Sequence, residues 1–170
     1  MKNVLYIILS SLLLLALVVV LIGILLPRTR TETKQCILNA PVDAVFAIVT
    51  NNQEWHYRSS LDDLEIIRTQ GGIEEWEETA NGATIRFKTL EKRPHSFYSF
   101  EMDSKMFTGE WQATFKPMEG GKTLFTAIEK IEYKNLFYRL VGYAFMDLNK
   151  LMTTYQEELT ARIELEKAEQ

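Results

Sequence analysis

Cysteine is nearly missing from this chain of 170 residues. Cys36 stands alone, so no intramolecular disulfide can form, and with only two histidines, His56 and His95, there is no Cys/His cluster of zinc-type spacing. No metal or cofactor is therefore expected. An excess of basic residues is missing too: 19 Lys and Arg stand against 23 Asp and Glu, a formal net charge of −4. That balance excludes nucleic acid or an anionic lipid surface as the main partner, because both reward clustered positive charge. There is no internal repeat, no low-complexity tract and no long linker.

Charge is absent altogether from residues 4–26, VLYIILSSLLLLALVVVLIGILL. At about 1.5 Å per residue this run reaches ~35 Å, enough to cross the hydrocarbon core of a bilayer. Leu, Val and Ile cover every face, so it lacks the polar stripe of a soluble helix. A cleaved secretory signal would be shorter and would end at a small-residue site, whereas this run continues into Leu25-Leu26-Pro27-Arg28. The chain thus divides into a single transmembrane anchor, residues 1–27, and one domain, residues 28–170, held beside the cell membrane. Lys2 precedes the span while Arg28, Arg30 and Lys34 come after it, which favours the cytoplasm for the domain.

Beyond the anchor, residues 30–38 alternate weakly and read as a strand. Pro41 with Asp43 opens a short helix whose apolar face is Val42, Val45, Phe46 and Val49, and residues 53–61 form a second short helix or irregular segment around Trp55 and Tyr57. From Leu64 the signals are those of strands. Asn81-Gly82 is the preferred pair for a two-residue hairpin turn. If Ala80 faces Ala83, then Trp76 faces Phe87 on the inner side, while Glu77 faces Arg86 and Glu75 faces Lys88 on the outer side. The acidic run 74–78 then reads as a solvated strand face, since it lacks the geometry and glycine of a calcium loop. Further strands lie at residues 97–102, 108–117 and 123–133. After Asn135 a helical period runs unbroken to about residue 166, with Phe137, Val141, Ala144, Leu148, Leu151, Tyr155 and Leu159 on its core stripe and Gln156, Glu157 and Glu164 outward.

The expected class is α+β: an antiparallel sheet wrapped around a long C-terminal helix and preceded by one transmembrane helix. The run Ile37-Leu38-Asn39-Ala40-Pro41-Val42-Asp43-Ala44-Val45-Phe46-Ala47-Ile48-Val49-Thr50, then Trp55, resembles the START-like SRPBCC superfamily, especially its polyketide-cyclase-like bacterial members. The resemblance covers residues 30–166; members with a leading membrane segment that ends near a Leu-Pro pair also look like this chain. It implies a helix-grip fold with an apolar cavity between sheet and helix, in which members bind lipids, sterols, isoprenoids or polyketides, and a minority act as enzymes.

Alternation places Trp76, Phe87, Tyr98, Phe100, Trp111 and Phe115 on the inner face, where they are candidate ligand contacts, opposite Met146 and Tyr155 of the helix. Trp55 and Tyr57, together with Tyr143 and Phe145 from the nearly all-apolar residues 136–146, are expected to frame the mouth. Glu129 falls on the apolar side of its strand and, if buried, needs a partner or a proton. No catalytic residue stands out: His95 belongs to an exposed turn, His56 has no evident partner, and Cys36 has no cation to lower its pKa. Three classes of function stay open: a membrane-anchored binding module for a hydrophobic small molecule, an enzyme acting on a membrane-derived apolar substrate, and a structural or partner-binding protein. Ligand identity and oligomeric state are not encoded in these patterns.

Overall fold

A computed structural model describes residues 2–168. The chain runs α1 (Lys2–Leu25), β1 (Thr29–Leu38), α2 (Val42–Val49), a 3-10 segment (Asn52–Tyr57), β2 (Asp63–Gln70), β3 (Ile73–Ala80), β4 (Ala83–Arg93), β5 (Phe97–Ser104), β6 (Phe107–Met118), β7 (Lys122–Tyr133), α3 (Leu136–Phe145) and α4 (Leu148–Ala168). The seven strands make one antiparallel sheet in the order β1-β7-β6-β5-β4-β3-β2. Successive strands pair as a meander, and β1 closes the far edge against β7 because α2 and the 3-10 segment carry the chain across to β2. This is the expected α+β helix-grip arrangement, with α4 lying over the inner face. The apolar α1 is long enough to cross a membrane by length and composition.

The hairpin register obeys the turn chemistry. Asn81 and Gly82 both take positive φ, 51° and 73°, as a primed turn requires, and the pairs are Glu75 with Lys88, Trp76 with Phe87, and Glu77 with Arg86. Trp76 and Phe87 stack at 5.2 Å on the inner face, and Arg86 pairs with Glu77 at 2.8 Å outside. Glu75 and Lys88 are register partners but turn their charges elsewhere, to Arg68 and Glu101 at 3.8 Å each. The acidic run is not wholly a solvated face. Glu74 and Glu78 share the parity of Trp76 and point inward, where Glu78 is buried.

The C-terminal helix is broken rather than continuous. Met146 is extended, and the Asp147 carboxylate accepts from the Lys150 backbone N–H at 3.0 Å, so Asp147 caps a new helix. Arg30 Nη1 donates to the Met146 carbonyl at 2.9 Å, occupying an acceptor freed by the end of α3. The break re-phases the second helix. In α4 the buried side chains are Leu148, Met152, Gln156, Leu159 and Ile163, so Gln156 lies inside and Leu151 is half exposed. In α3 the expected core stripe is turned outward, with Phe137 and Ala144 exposed. The face toward the sheet is instead set by Gly142, where a Cβ would fall 2.3 Å from the Tyr133 ring.

Candidate functional site

Between the inner face of the sheet, the 3-10 segment and the start of α4 lies a cavity of about 600 Å³. Its wall is mainly apolar, with a cluster of aromatic rings on the sheet side. Phe100 is the hub of that cluster: it stacks on Trp111 at 4.9 Å, meets Trp76 and Phe87 edge-on at 5.3 and 5.5 Å, and meets Tyr98, behind the wall, edge-on at 5.6 Å. Strand alternation brings these rings to one face, and antiparallel pairing sets them side by side. On the opposite side Met146, Leu148, Leu151, Met152 and Tyr155 close the space. Tyr155 sits edge-on to Trp111 at 6.2 Å.

One part of this wall is polar. Arg58, just past the 3-10 segment, donates from Nη1 and Nη2 to the two oxygens of Glu78 at 2.7 and 2.9 Å, and Trp76 Nε1 donates to the same carboxylate at 3.1 Å. Such a two-point pair fixes both side chains. Burial works against the Arg58 charge, but the Glu78 carboxylate outweighs it and holds the guanidinium above its ordinary pKa. Arg58 also lies 5.6 Å above the Tyr155 ring, and burial raises the pKa of the Tyr57 and Tyr155 phenols.

Glu129 borders the same cavity without a hydrogen-bond partner or ion pair of its own among the described residues. The cavity leaves some of its surface accessible, but the surroundings keep it from bulk water. Burial, with the charge of Glu78 adding to it and Arg58 opposing, pushes its carboxyl up to about 7. The site can thus offer an apolar ligand a guanidinium, two phenols and a carboxyl that takes up a proton near neutrality.

The expected contacts fall into two groups. Trp55, Tyr57, Trp76, Phe87, Phe100, Trp111, Glu129, Met146 and Tyr155 border the cavity. Tyr98, Phe115 and Tyr143 do not. Tyr98 and Phe115 lie in the packed core toward α2, Phe115 edge-on to Phe46 at 5.2 Å, and Tyr143 packs on Tyr133 and Arg30 at 5.8 and 4.8 Å. Phe145 is 86% exposed and also stands off the cavity. His56 stacks outside on Trp55, His95 is exposed with φ 58°, and burial pushes the Cys36 thiol up to about 11, which fits an inert side chain. The polar residues that the sequence did not single out are Arg58 and Glu78. Glu78 carried a signal, since it shares the parity of Trp76.

A family described as polyketide cyclase / dehydrase and lipid transport matches residues 29–164. The chain belongs to this family. Among solved structures, the Zhui aromatase/cyclase from Streptomyces sp. R1128 is similar with a TM-score of 0.70 at 9% identity, covering 80% of this chain and 94% of that one. A START superfamily protein from Mycobacterium smegmatis gives 0.60 at 13%, over 79% and 97% of the two chains. Norcoclaurine synthase from Thalictrum flavum gives 0.62 at 10%, over 79% and 86%. At such identities these likenesses establish the helix-grip fold of the family domain and not a shared chemistry. No curated protein matches the chain in sequence.

Proposed function

We propose that the chain is a membrane-anchored module that binds a hydrophobic small molecule bearing a polar end. The observation that carries this reading is the cavity of about 600 Å³, apolar over most of its wall and polar where Arg58, Glu78, Glu129, Tyr57 and Tyr155 come together. Its volume lies within the ~300 to 1,000 Å³ of small-molecule sites, and a few placed polar groups on an apolar wall are what orient a ligand in such sites. The family description, which includes lipid transport, supports a lipid, isoprenoid or polyketide-like ligand.

The anchor reading divides the chain into residues 1–27 and a family domain from 28 onward. It is supported by the uncharged, exposed run of α1 from residue 4 and by the way its last turn is built into the domain through Gly23 and Arg139. Arg28, Arg30 and Lys34 against Lys2 favour the cytoplasmic side. A second reading, an enzyme on a membrane-derived apolar substrate, is favoured by Glu129. A carboxyl whose pKa lies near 7 inside a ligand-sized cavity has the properties of a general acid or base.

The test is lipid extraction and native mass spectrometry of the full chain purified in detergent, beside Phe100→Asp and Glu129→Gln. The binding reading expects a bound apolar molecule that Phe100→Asp loses and Glu129→Gln keeps. If the molecule held by Glu129→Gln differs in covalent structure from that held by the unchanged chain, the enzyme reading gains.

A further inference from the structure

We infer that α3 is an interfacial helix: docked on the end of α1, it lies in the bilayer surface and holds the mouth of the cavity against lipid, so that a ligand passes between bilayer and cavity without crossing water. This rests on the reading of α1 as a membrane anchor.

The first observation is the junction. The carbonyls of the last helical turn have no partners within their own helix. Arg139 Nη1 of α3 donates to two carbonyls at the end of α1, those of Gly23 at 3.1 Å and Leu26 at 3.0 Å, and its positive charge suits the negative end of the helix dipole. Gly23 is the buried residue of α1. A Cβ on it would lie 2.9 Å from Leu136 Cδ1 and 3.0 Å from Leu140 Cγ, so the side chains of α3 fill the space that glycine leaves. Gly23 stands within one turn of the end of the span, and whatever is clamped there sits at the depth where hydrocarbon gives way to headgroups.

The second observation is the free face of α3. Phe137, Val141, Ala144 and Phe145 recur at i, i+4, i+7 and i+8 and so form one stripe without a charge. Phe137 is 66% and Phe145 86% exposed. The other faces are taken: Leu136, Leu140 and Arg139 meet α1, and Gly142 meets Tyr133. An apolar stripe on a helix fixed to the end of a membrane span faces lipid, and aromatic rings are favoured at that level.

The third is where the cavity opens. The turn Asn81-Gly82 and the loop at Lys105 border it and are exposed, and Met146 at the end of α3 borders it as well. All belong to the end of the sheet at which β1 begins and β7 finishes, as the facing pairs Thr29 with Glu132 and Phe107 with Tyr133 place them. The turns at residues 71–72 and 119–121 lie at the opposite end. This part of the exposed rim and the anchor therefore share one end of the domain, while the exposed Asn51 borders the cavity nearer the other end.

The experiment uses the full chain with Cys36→Ser and one new cysteine at a time, at Leu13, Phe145 or Lys122, each labelled with an environment-sensitive fluorophore. The chains are placed in phosphatidylcholine nanodiscs with or without nitroxide-bearing lipid. The inference expects the labels at Leu13 and Phe145 to lose emission to the nitroxide and the label at Lys122 to keep it. Quenching at Leu13 with Phe145 as bright as Lys122 would overturn the inference while leaving the anchor intact. A blue-shifted but unquenched Phe145 label would assign the face to a second copy of the chain and overturn it too. An unquenched Leu13 would remove the anchor reading and the inference together.

Discussion

Arg58 and Glu78 meet through two parallel hydrogen bonds, 2.7 and 2.9 Å, on the wall of a mainly apolar cavity. The guanidinium comes from an irregular segment and the carboxylate from β3, next to the sheet's edge strand, so the pair ties the cover of the cavity to its sheet. Replacing Arg58 with Ala leaves Glu78 buried with only Trp76 as donor, which should cost about 3 to 5 kcal/mol. Replacing both, Arg58→Met with Glu78→Leu, should recover most of that loss. Urea unfolding of the unchanged chain, Arg58→Ala and the double replacement in detergent checks this, and equal losses for the single and double replacements would mean that the pair does not govern stability.

Glu129 should make stability fall with rising pH. Its carboxyl titrates near 7 in the folded chain against 4.5 unfolded, so between those values the folded state binds more protons. The chain carries no penalty from this group below about pH 4.5 and the full penalty above about pH 7, of order 3 kcal/mol. Glu129→Gln should remove that part of the pH dependence and be the more stable chain at pH 8. A carboxylate signal of Glu129 titrating near 4.5 by NMR would contradict the account.

Gly142 should not tolerate alanine. Helix propensity alone favours the exchange by about 1 kcal/mol, but the added Cβ falls 2.3 Å from the Tyr133 ring and must push α3 off the sheet. A net loss of about 1 to 3 kcal/mol is expected. A gain in melting temperature would show that α3 is free to shift.

Removing residues 1–27 should leave a cooperatively folding domain, because the core from Leu38 to Ile163 makes no use of α1. The same cut strips Arg139 of its two carbonyl acceptors and uncovers Leu136 and Leu140. Amide exchange in α3 should quicken while that of β5 to β7 stays slow. A truncated chain without a cooperative transition would make α1 part of the fold itself.

Much of this molecule is legible in its residues, wherever one local rule governs. Asn81-Gly82 sets a hairpin register that holds to the residue, and the alternation of Trp111, Ala113 and Phe115 sets the inner face of β6. Glu129 was readable as an inward carboxyl by the same alternation. Other features depend on what the chain meets far away. The period over residues 136–166 hides the break at Asp147, whose capping role competes with a propagating helix and wins because Arg30 takes up a freed carbonyl. The outward turn of Phe137 and Ala144 depends on Gly23, more than a hundred residues earlier, and on Tyr133. Arg58 could not be placed from sequence because no periodicity fixes the direction of a side chain beside a kinked 3-10 segment.

The central claim, a mainly apolar cavity that holds a hydrophobic molecule, is tested most directly by native mass spectrometry of the full chain released from mild detergent, with Phe100→Asp as its partner measurement. A discrete adduct on the unchanged chain that is absent from a folded Phe100→Asp is the predicted result. An unchanged chain that carries no adduct, and takes up none when incubated with total lipid extract, would contradict it.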